Sequence, residues 1–400
     1  MSLVLLMGGA AWSAQVTRLG ALHPRVLGST HSADGMHLAY VVERDGGQYA
    51  VVDLKIQEDY DAIGSDGVVL SGDGGRFAYW ARKGGKWAII VAGKRGETYD
   101  AVARGSITFS RDGRRLAYVV KQEGKWRVVV DGQAQGAHDA IGEKSIAFSA
   151  DGASIAYTAS DGGSWRAIVD GKAGAAHAQI GSGPPLFGAG GRRVAYVAGD
   201  GAGRMVVADE QPWRKCSAVA AGSLRFSPDG KRLACIAQID AKHVLMIDGR
   251  ITAEATDFAW RPDGTDVAMV VRAGDKWLVQ NGDARGPSFD AIGAGSLRFS
   301  ADGKRLAYVA QIGAKQCVVV DGRAGALHDA VLEGSPQWSA DGGRVAYLAR
   351  KDKAQFVVVD GKPGPEYAMV VPAESFFRRD GSVEYLGITA GKHALEKVRE

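Results

Sequence analysis

Cysteine is scarce in this 400-residue chain, which contains only Cys216, Cys235 and Cys317. An odd, sparse set without a CxxC or cysteine–histidine spacing excludes a disulfide framework and gives no support to a zinc site. The eight histidines show no HxxxH or HExxH spacing, so metal catalysis has no support either. The sequence therefore predicts no metal and no cofactor.

Charge of one sign is also scarce. The formal net charge is +4, and no run of Lys and Arg is dense enough for a nucleic-acid-binding arm. Beyond the first residues, no stretch approaches the apolar length of a membrane span. We therefore expect neither a nucleic-acid partner nor a transmembrane segment.

The N-terminal residues 1–14, MSLVLLMGGAAWSA, lie outside the repeat pattern described below. They resemble the apolar core and small-residue end of a secretory signal, without its positively charged start. We predict a truncated signal peptide at 1–14 and a periplasmic or secreted protein. The alternative is an apolar strand leading into the first repeat of a cytoplasmic protein.

Glycine is abundant, with 56 residues against 11 prolines, and this indicates many tight turns and short strands. One phrase, F-S-x-D-G-x-x-x-A-Y, recurs along the chain, for example as FSRDGRRLAY (109–118) and FSADGKRLAY (299–308). Its ten copies are anchored near residues 34, 73, 112, 151, 190, 229, 263, 302, 341 and 380. The anchors are 39 residues apart, except for 34 between Asp229 and Asp263. Such a period indicates tandem duplication.

Each unit predicts four short antiparallel strands and almost no helix. In residues 106–141 we place strands at SITFS, at 116–121, at 126–130 and at 138–141, with turns at the intervening glycines. Four strands in 39 residues are typical of one propeller blade. The predicted fold is an all-β, single β-propeller of about ten blades over residues 15–400. QVTRLG (15–20) would supply the missing fourth strand of the C-terminal blade; the alternative is two five-bladed rings.

The phrase FSPDGKRLA (226–234) resembles the repeat of TolB-type, WD-repeat-like bacterial propellers, and VVVDGKPGPEY (357–367) resembles a branch of the same repeats. The resemblance covers nearly the whole chain and implies a periplasmic or secreted protein-binding platform. TolB has a separate N-terminal domain that is not recognisable here, so its Tol–Pal partnership is not carried over. Related propellers also precede prolyl oligopeptidase domains, but no G-x-S-x-G motif occurs.

The turns after the second strands are the first candidate site. They carry Lys and are followed by Trp, at Lys86, Lys125, Lys276 and Lys315 with Trp87, Trp126 and Trp277. One hypothesis is a cationic, aromatic-rimmed face for an acidic protein or a glycan. The alternative is that Gly-Lys is turn chemistry, that Trp packs between blades, and that turn carboxylates such as Glu123, Asp161 and Asp275 cancel the charge.

Two arginines depart from the repeat and form the second candidate site. Arg225 and Arg298 stand at the register that Thr108 and Ala147 occupy in other first strands. Near an axial channel they would grip an anionic group with forked hydrogen bonds, or they would pair with a neighbouring Asp.

Two sets of aspartates are expected to be structural. The Asp-Gly turn carboxylates invite a calcium site, but turn aspartates normally bond their own backbone. A third set from phrases such as HDAI is expected to join neighbouring blades: Asp61, Asp100, Asp139, Asp290 and Asp329.

The sequence thus favours a non-catalytic, extracytoplasmic scaffold that presents a propeller face to a protein partner. An alternative is a glycan or anionic small-molecule binder that uses the axial channel. A hydrolase or lyase with carboxylates on a propeller face is a further hypothesis, although no catalytic constellation can be assembled from the residues.

Overall fold

The computed structural model describes residues 14–23, 26–201, 203–391 and 394–400. In these residues the chain forms ten antiparallel sheets and contains no helix. It is an all-β, ten-bladed β-propeller, which confirms the predicted fold class. Of the predicted signal peptide, residues 1–13 lie outside the described residues. No described helix has the length and apolar character needed to cross a membrane.

The blades are numbered along the chain, and the first strand of most blades is split into two short segments. The strands of blades 1 to 3 are Val26–His31, Leu38–Arg44, Gly47–Val52 and Lys55–Tyr60; Ala62–Ile63 with Val69–Leu70, Phe77–Lys83, Lys86–Val91 and Lys94–Tyr99; and Ala101–Val102 with Thr108–Phe109, Leu116–Gln122, Lys125–Val130 and Gln133–His138. Those of blades 4 to 6 are Ala140–Ile141 with Ala147–Phe148, Ile155–Asp161, Ser164–Val169 and Lys172–Ala173; Gln179–Ile180 with Leu186–Phe187, Val194–Gly199, Arg204–Ala208 and Gln211–Pro212; and Ala218–Val219 with Arg225–Phe226, Leu233–Ile239, Lys242–Ile247 and Arg250–Glu254.

The strands of blades 7 to 9 are Asp257–Trp260, Val267–Ala273, Lys276–Asn281 and Ala284–Arg285; Ala291–Ile292 with Arg298–Phe299, Leu306–Ile312, Lys315–Val320 and Arg323–Ala324; and Ala330–Val331 with Gln337–Trp338, Val345–Lys351, Ala354–Val359 and Lys362–Pro363. Blade 10 consists of Met369–Val370, Glu384–Ile388, Ala394–Arg399 and the N-terminal strand Gln15–Ala21. The five-residue shortening of the repeat falls beside blade 7, whose first strand is one continuous segment.

Two compact units divide the chain. One contains blades 7 to 10 and residues 33–36, and the other contains blades 1 to 6 apart from that loop. A division into four and six blades differs from the alternative of two five-bladed rings, which is wrong. The predicted closure is confirmed, because Gln15–Ala21 pairs antiparallel with Ala394–Arg399 and completes blade 10.

The core lies between successive blades, and the second and third strands supply most of it. Between blades 3 and 4, Val119 and Val128 on one sheet pack against Tyr157 and Ile168 on the next, and all four are buried. Strands such as LAYVV are apolar on both faces because each face is covered by a neighbouring sheet. The hairpin between the third and fourth strands turns at Asp131 and Gly132, which both have positive φ, as a type I′ turn requires.

One predicted strand was wrong. We placed the fourth strand of blade 3 at 138–141, whereas it is Gln133–His138, and Ala140–Ile141 already belongs to blade 4. The sequence QAQGAH lacks apolar alternation because this edge strand is largely exposed, so its pattern does not indicate a strand.

Candidate functional site

The turn between the first and second strands is held by its own Ser and Asp side chains. In blade 3, the Ser110 hydroxyl donates to Asp112 Oδ1 at 2.6 Å, and the same oxygen accepts the Arg114 backbone N–H at 3.1 Å. The Ser110 bond, followed by this backbone bond, lowers the pKa of Asp112 below its ordinary value. The prediction of a structural turn is confirmed here, and the same Ser–Asp bond recurs at Asp73, Asp151, Asp229, Asp302 and Asp341.

An arginine that follows this turn clamps each blade to the next. Arg115 donates from Nε to Asp131 at 2.9 Å within blade 3. Its Nη1 donates to the carbonyls of Gly152 and Ala153 in blade 4 at 2.8 and 3.0 Å, and its guanidinium lies 5.1 Å from the Phe148 ring centroid. The contact to the next blade recurs at Arg76, Arg193, Arg305 and Arg344. We did not single out these arginines from the sequence, although Arg follows the Asp-Gly dipeptide by two positions in several copies.

At the opposite end of the blades, three of the four predicted lysines are paired with the third set of aspartates. Asp139 accepts the Lys125 ammonium from blade 3 and the Gly162 N–H from blade 4, the latter at 2.9 Å. These two contacts lower the pKa of Asp139, the lysine first. This confirms that the aspartate joins two blades. Lys276 and Lys315 are paired in the same way, with Asp290 and Asp329.

The predicted cancellation of lysine charge therefore occurs, but through different carboxylates. We assigned it to turn residues such as Glu123 and Asp275, whereas the partners come from the HDAI-type phrases. Within the described part of the chain, Lys86 has no carboxylate oxygen within 4 Å. Because three of these four lysines are neutralised, this end of the blades is not a uniformly cationic face.

The predicted tryptophans are half-buried between blades, beneath a cation from the neighbouring strand. Trp87 packs against the core that blades 2 and 3 share, and the Arg82 guanidinium lies 5.6 Å from its ring centroid. Trp126 and Trp277 are placed alike, under Lys121 and Arg272 at 5.7 and 5.9 Å. Packing of this kind accounts for Trp at these positions.

Arg225 and Arg298 belong to different compact units and have different surroundings. Arg225 is half-buried, and its Nε donates to the Gly222 carbonyl at 3.1 Å. Arg298 is exposed, and its Nη1 donates to the carbonyls of Gly295 and Leu297 at 2.6 and 2.9 Å. Arg298 also lines a cavity of about 510 Å³ with Trp338 and Glu374.

Further cavities lie as grooves between successive blades. Each is lined by a valine of one second strand and by first-strand residues of the following blade. Their volumes are about 520 Å³ between blades 1 and 2, 230 Å³ between blades 3 and 4, 740 Å³ between blades 5 and 6, and 360 Å³ between blades 8 and 9. The groove between blades 5 and 6 is the largest of the four and was not predicted.

The described residues contain no group of three or more His, Cys, Asp or Glu side chains arranged to hold a metal ion. All three cysteines are buried free thiols. Burial raises the pKa of the Cys235 thiol to about 12, and burial likewise raises the pKa values of Cys216 and Cys317. These thiols therefore have the character of small buried hydrophobic groups rather than nucleophiles.

Comparison with known proteins adds little beyond the architecture. No protein-family model matches the chain, and no curated protein matches it. A solved structure titled "Crystal structure of the eukaryotic initiation factor" shares 12% identity, with a TM-score of 0.48 over 87% of this chain and 90% of that one. The "Structure of Dos1 propeller" shares 11% identity, with a TM-score of 0.37 over 83% and 91%. Similarities at this level carry no argument about function.

Proposed function

We propose that the chain is a non-catalytic, extracytoplasmic scaffold that binds a protein partner at the turns between its second and third strands. The extracytoplasmic part of the proposal rests on the apolar segment 1–14 and on the resemblance to TolB-type repeats. The binding part rests on two exposed aliphatic side chains of blade 8, at positions where the repeat elsewhere uses mainly polar or charged residues.

Ile312 ends the second strand of blade 8, and 43% of it is exposed. Leu327 is 49% exposed and precedes His328, whose backbone pairs with Gln316 at the start of the third strand. Both residues therefore lie at the end of the blade that carries the Lys315–Asp329 ion pair. The positions equivalent to Ile312 are charged in blades 2, 4 and 9, and those equivalent to Leu327 are charged in blades 5 and 9.

An apolar centre beside a neutralised ion pair has the composition of a protein-binding surface. The cores of such interfaces are apolar and depleted of free charge, whereas the rim is polar. A few anchors in the centre supply most of the binding energy. Since the Arg clamps and Asp bridges fix the blades, a partner would meet a preformed surface with little cost of ordering.

Charging this surface is expected to abolish partner binding. We would replace Ile312→Lys and Leu327→Glu together, which introduces the residues that blade 9 carries at Lys351 and Glu366. Tagged wild-type and variant chains would be cross-linked in extracts of the native envelope, and captured proteins quantified by mass spectrometry. We expect a specific partner to be lost about tenfold or more, as for interface hot spots.

The matched control is Ile56→Lys, because Ile56 is 59% exposed on a fourth strand rather than at this end of a blade. The control is expected to capture the same partner as wild type. Equal capture by the Ile312/Leu327 variant would refute the proposed surface.

A second candidate, a glycan or anionic small-molecule binder, is favoured by the 510 Å³ cavity around Arg298. The Arg298 guanidinium and the indole of Trp338 line it together, and Trp338 Nε1 donates to the Arg298 carbonyl at 2.9 Å. Aromatic faces stack on sugar rings, and guanidinium groups bind carboxylates in a fork.

For this candidate, a panel of acidic sugars is expected to contain one that raises the melting temperature of the wild-type protein, since a ligand bound to the native state stabilises it. Arg298→Ala is expected to remove that increase and to leave the melting temperature of the unliganded protein nearly unchanged. The equivalent change in another blade, Arg225→Ala, serves as the control. Retention of the increase in Arg298→Ala would exclude this site.

A further inference from the structure

The groove between blades 5 and 6 differs from the other inter-blade grooves in size and lining. Its volume is about 740 Å³, within the range of small-molecule sites. Apolar side chains form its walls, and Arg204 is the cation among its lining residues. The side chains that form the apolar part of the walls are Ile180, Leu186, Val197, Val219 and Leu224.

Arg204 occupies a position that otherwise connects or covers neighbouring blades. In blades 1, 8 and 9 it is Gln, and the side-chain oxygens of Gln48, Gln316 and Gln355 accept a backbone N–H of the following blade at 2.6, 2.8 and 3.0 Å. In blades 2, 3, 4 and 7 it is Trp. Arg204 instead donates from Nη1 to Gln179 of its own blade at 2.8 Å.

The residue that neutralises a cation at other junctions is also replaced here. Ser217 stands where Asp139, Asp290 and Asp329 bind lysines, and its hydroxyl donates to the Gln238 carbonyl at 2.8 Å. Among the residues that the structure describes, no carboxylate oxygen lies within 4 Å of the Arg204 guanidinium. The nearby carboxylate of Asp200 is paired with Lys215. Arg204 therefore brings an uncompensated positive charge to the groove.

Small residues keep the groove open. Ala220, Ala221 and Gly222 line it on the blade 6 side, where the groove between blades 8 and 9 has Leu332, Glu333 and Gly334. A Cβ built on Gly222 meets no atom within 4 Å. The volume is thus free space above a small-residue loop.

We propose that this groove binds a small amphipathic carboxylate, with the carboxylate on Arg204 and the apolar body along Val197, Val219 and Leu224. An arginine–carboxylate contact is charge-assisted and directional, so it orients the ligand. The apolar walls favour a chain or ring and disfavour a second charge. This site is independent of the proposed protein-binding surface on blade 8.

The experiment uses octanoate as the probe and 1-octanol as its uncharged counterpart, with binding to the full chain measured by calorimetry. Arg204→Gln replaces the cation by the residue found in blades 1, 8 and 9. Lys215→Gln removes a neighbouring charge that already has a partner. Ala221→Trp fills the groove, and Ala294→Trp makes the same change in the identical local sequence AGSLRFS of blade 8.

We expect octanoate to bind the wild type and to bind Arg204→Gln about tenfold more weakly, as expected for loss of a charge-assisted hydrogen bond. Ala221→Trp should abolish binding, whereas Lys215→Gln and Ala294→Trp should retain it, and octanol should bind more weakly than octanoate. Thermal unfolding of each variant would establish that it is folded. No binding to the wild type, equal affinity in Arg204→Gln, or equal losses in the two Trp variants would overturn the proposal.

Discussion

Replacing Trp80→Ala is expected to lower the free energy of unfolding by about 3–5 kcal/mol, the range found for large aromatic truncations in protein cores. Trp80 is 1% exposed and lies between blades 2 and 3. The rings of Tyr99 and Tyr118 meet it edge-on, with centroids 6.4 and 5.2 Å away. Truncation would leave a cavity between two sheets whose backbones are fixed by their own ladders, so the site cannot collapse fully.

Trp80→Phe is the matched control. The indole Nε1 of Trp80 has no hydrogen-bond partner in the described structure, so phenylalanine loses no hydrogen bond and retains most of the ring contacts. We expect it to cost about 1–2 kcal/mol, as near-isosteric core changes do. Urea unfolding followed by circular dichroism would give both values. Similar unfolding midpoints for the Ala and Phe variants would show that this inter-blade contact contributes little.

Much of the fold could be predicted because the repeat is regular and each blade is built from local signals. The Asp-Gly turns and the doubly apolar second and third strands recur with one spacing, so the number of blades could be counted. The fourth strand of blade 3 could not be located from its pattern. An exposed edge strand such as Gln133–His138 has no apolar face to specify its register.

The candidate sites were harder to predict because their chemistry depends on which blades meet. Lys125 is close in sequence to Glu123, yet its partner is Asp139 at the start of the next blade. Arg115 reaches carbonyls 37 and 38 residues away. Contacts between blades are invisible to a local pattern, although they become periodic once the register of one pair is known.

The same reasoning explains why Arg204 was missed. The sequence comparison singled out departures in the first strands, at Arg225 and Arg298, where the surrounding phrase is strongly repeated. Arg204 lies in the third strand of blade 5, where the equivalent residue is Gln, Trp or His in other copies. A variable position becomes informative only when the structure shows that Gln and Trp there connect or cover two blades.

Removing residues 1–21 is expected to destabilise blade 10 by several kcal/mol, because it deletes the strand Gln15–Ala21. Six residue pairs join this strand to Ala394–Arg399. At about 0.5–1.5 kcal/mol for each net hydrogen bond, the loss is on the order of 5 kcal/mol. The measurement is urea unfolding of the shortened chain beside a control that lacks only residues 1–14 and keeps the strand.

The same deletion is expected to promote self-association. It leaves Ala394–Arg399 with an unpaired edge, and such edges pair with strands of other molecules. Sedimentation should therefore show oligomers of the chain lacking residues 1–21, and a peptide of residues 14–23 added in excess should reduce them. The control lacking only 1–14 should unfold and sediment like the full chain. If both truncations behaved like the full chain, the pairing of Gln15–Ala21 with Ala394–Arg399 would not be what stabilises blade 10.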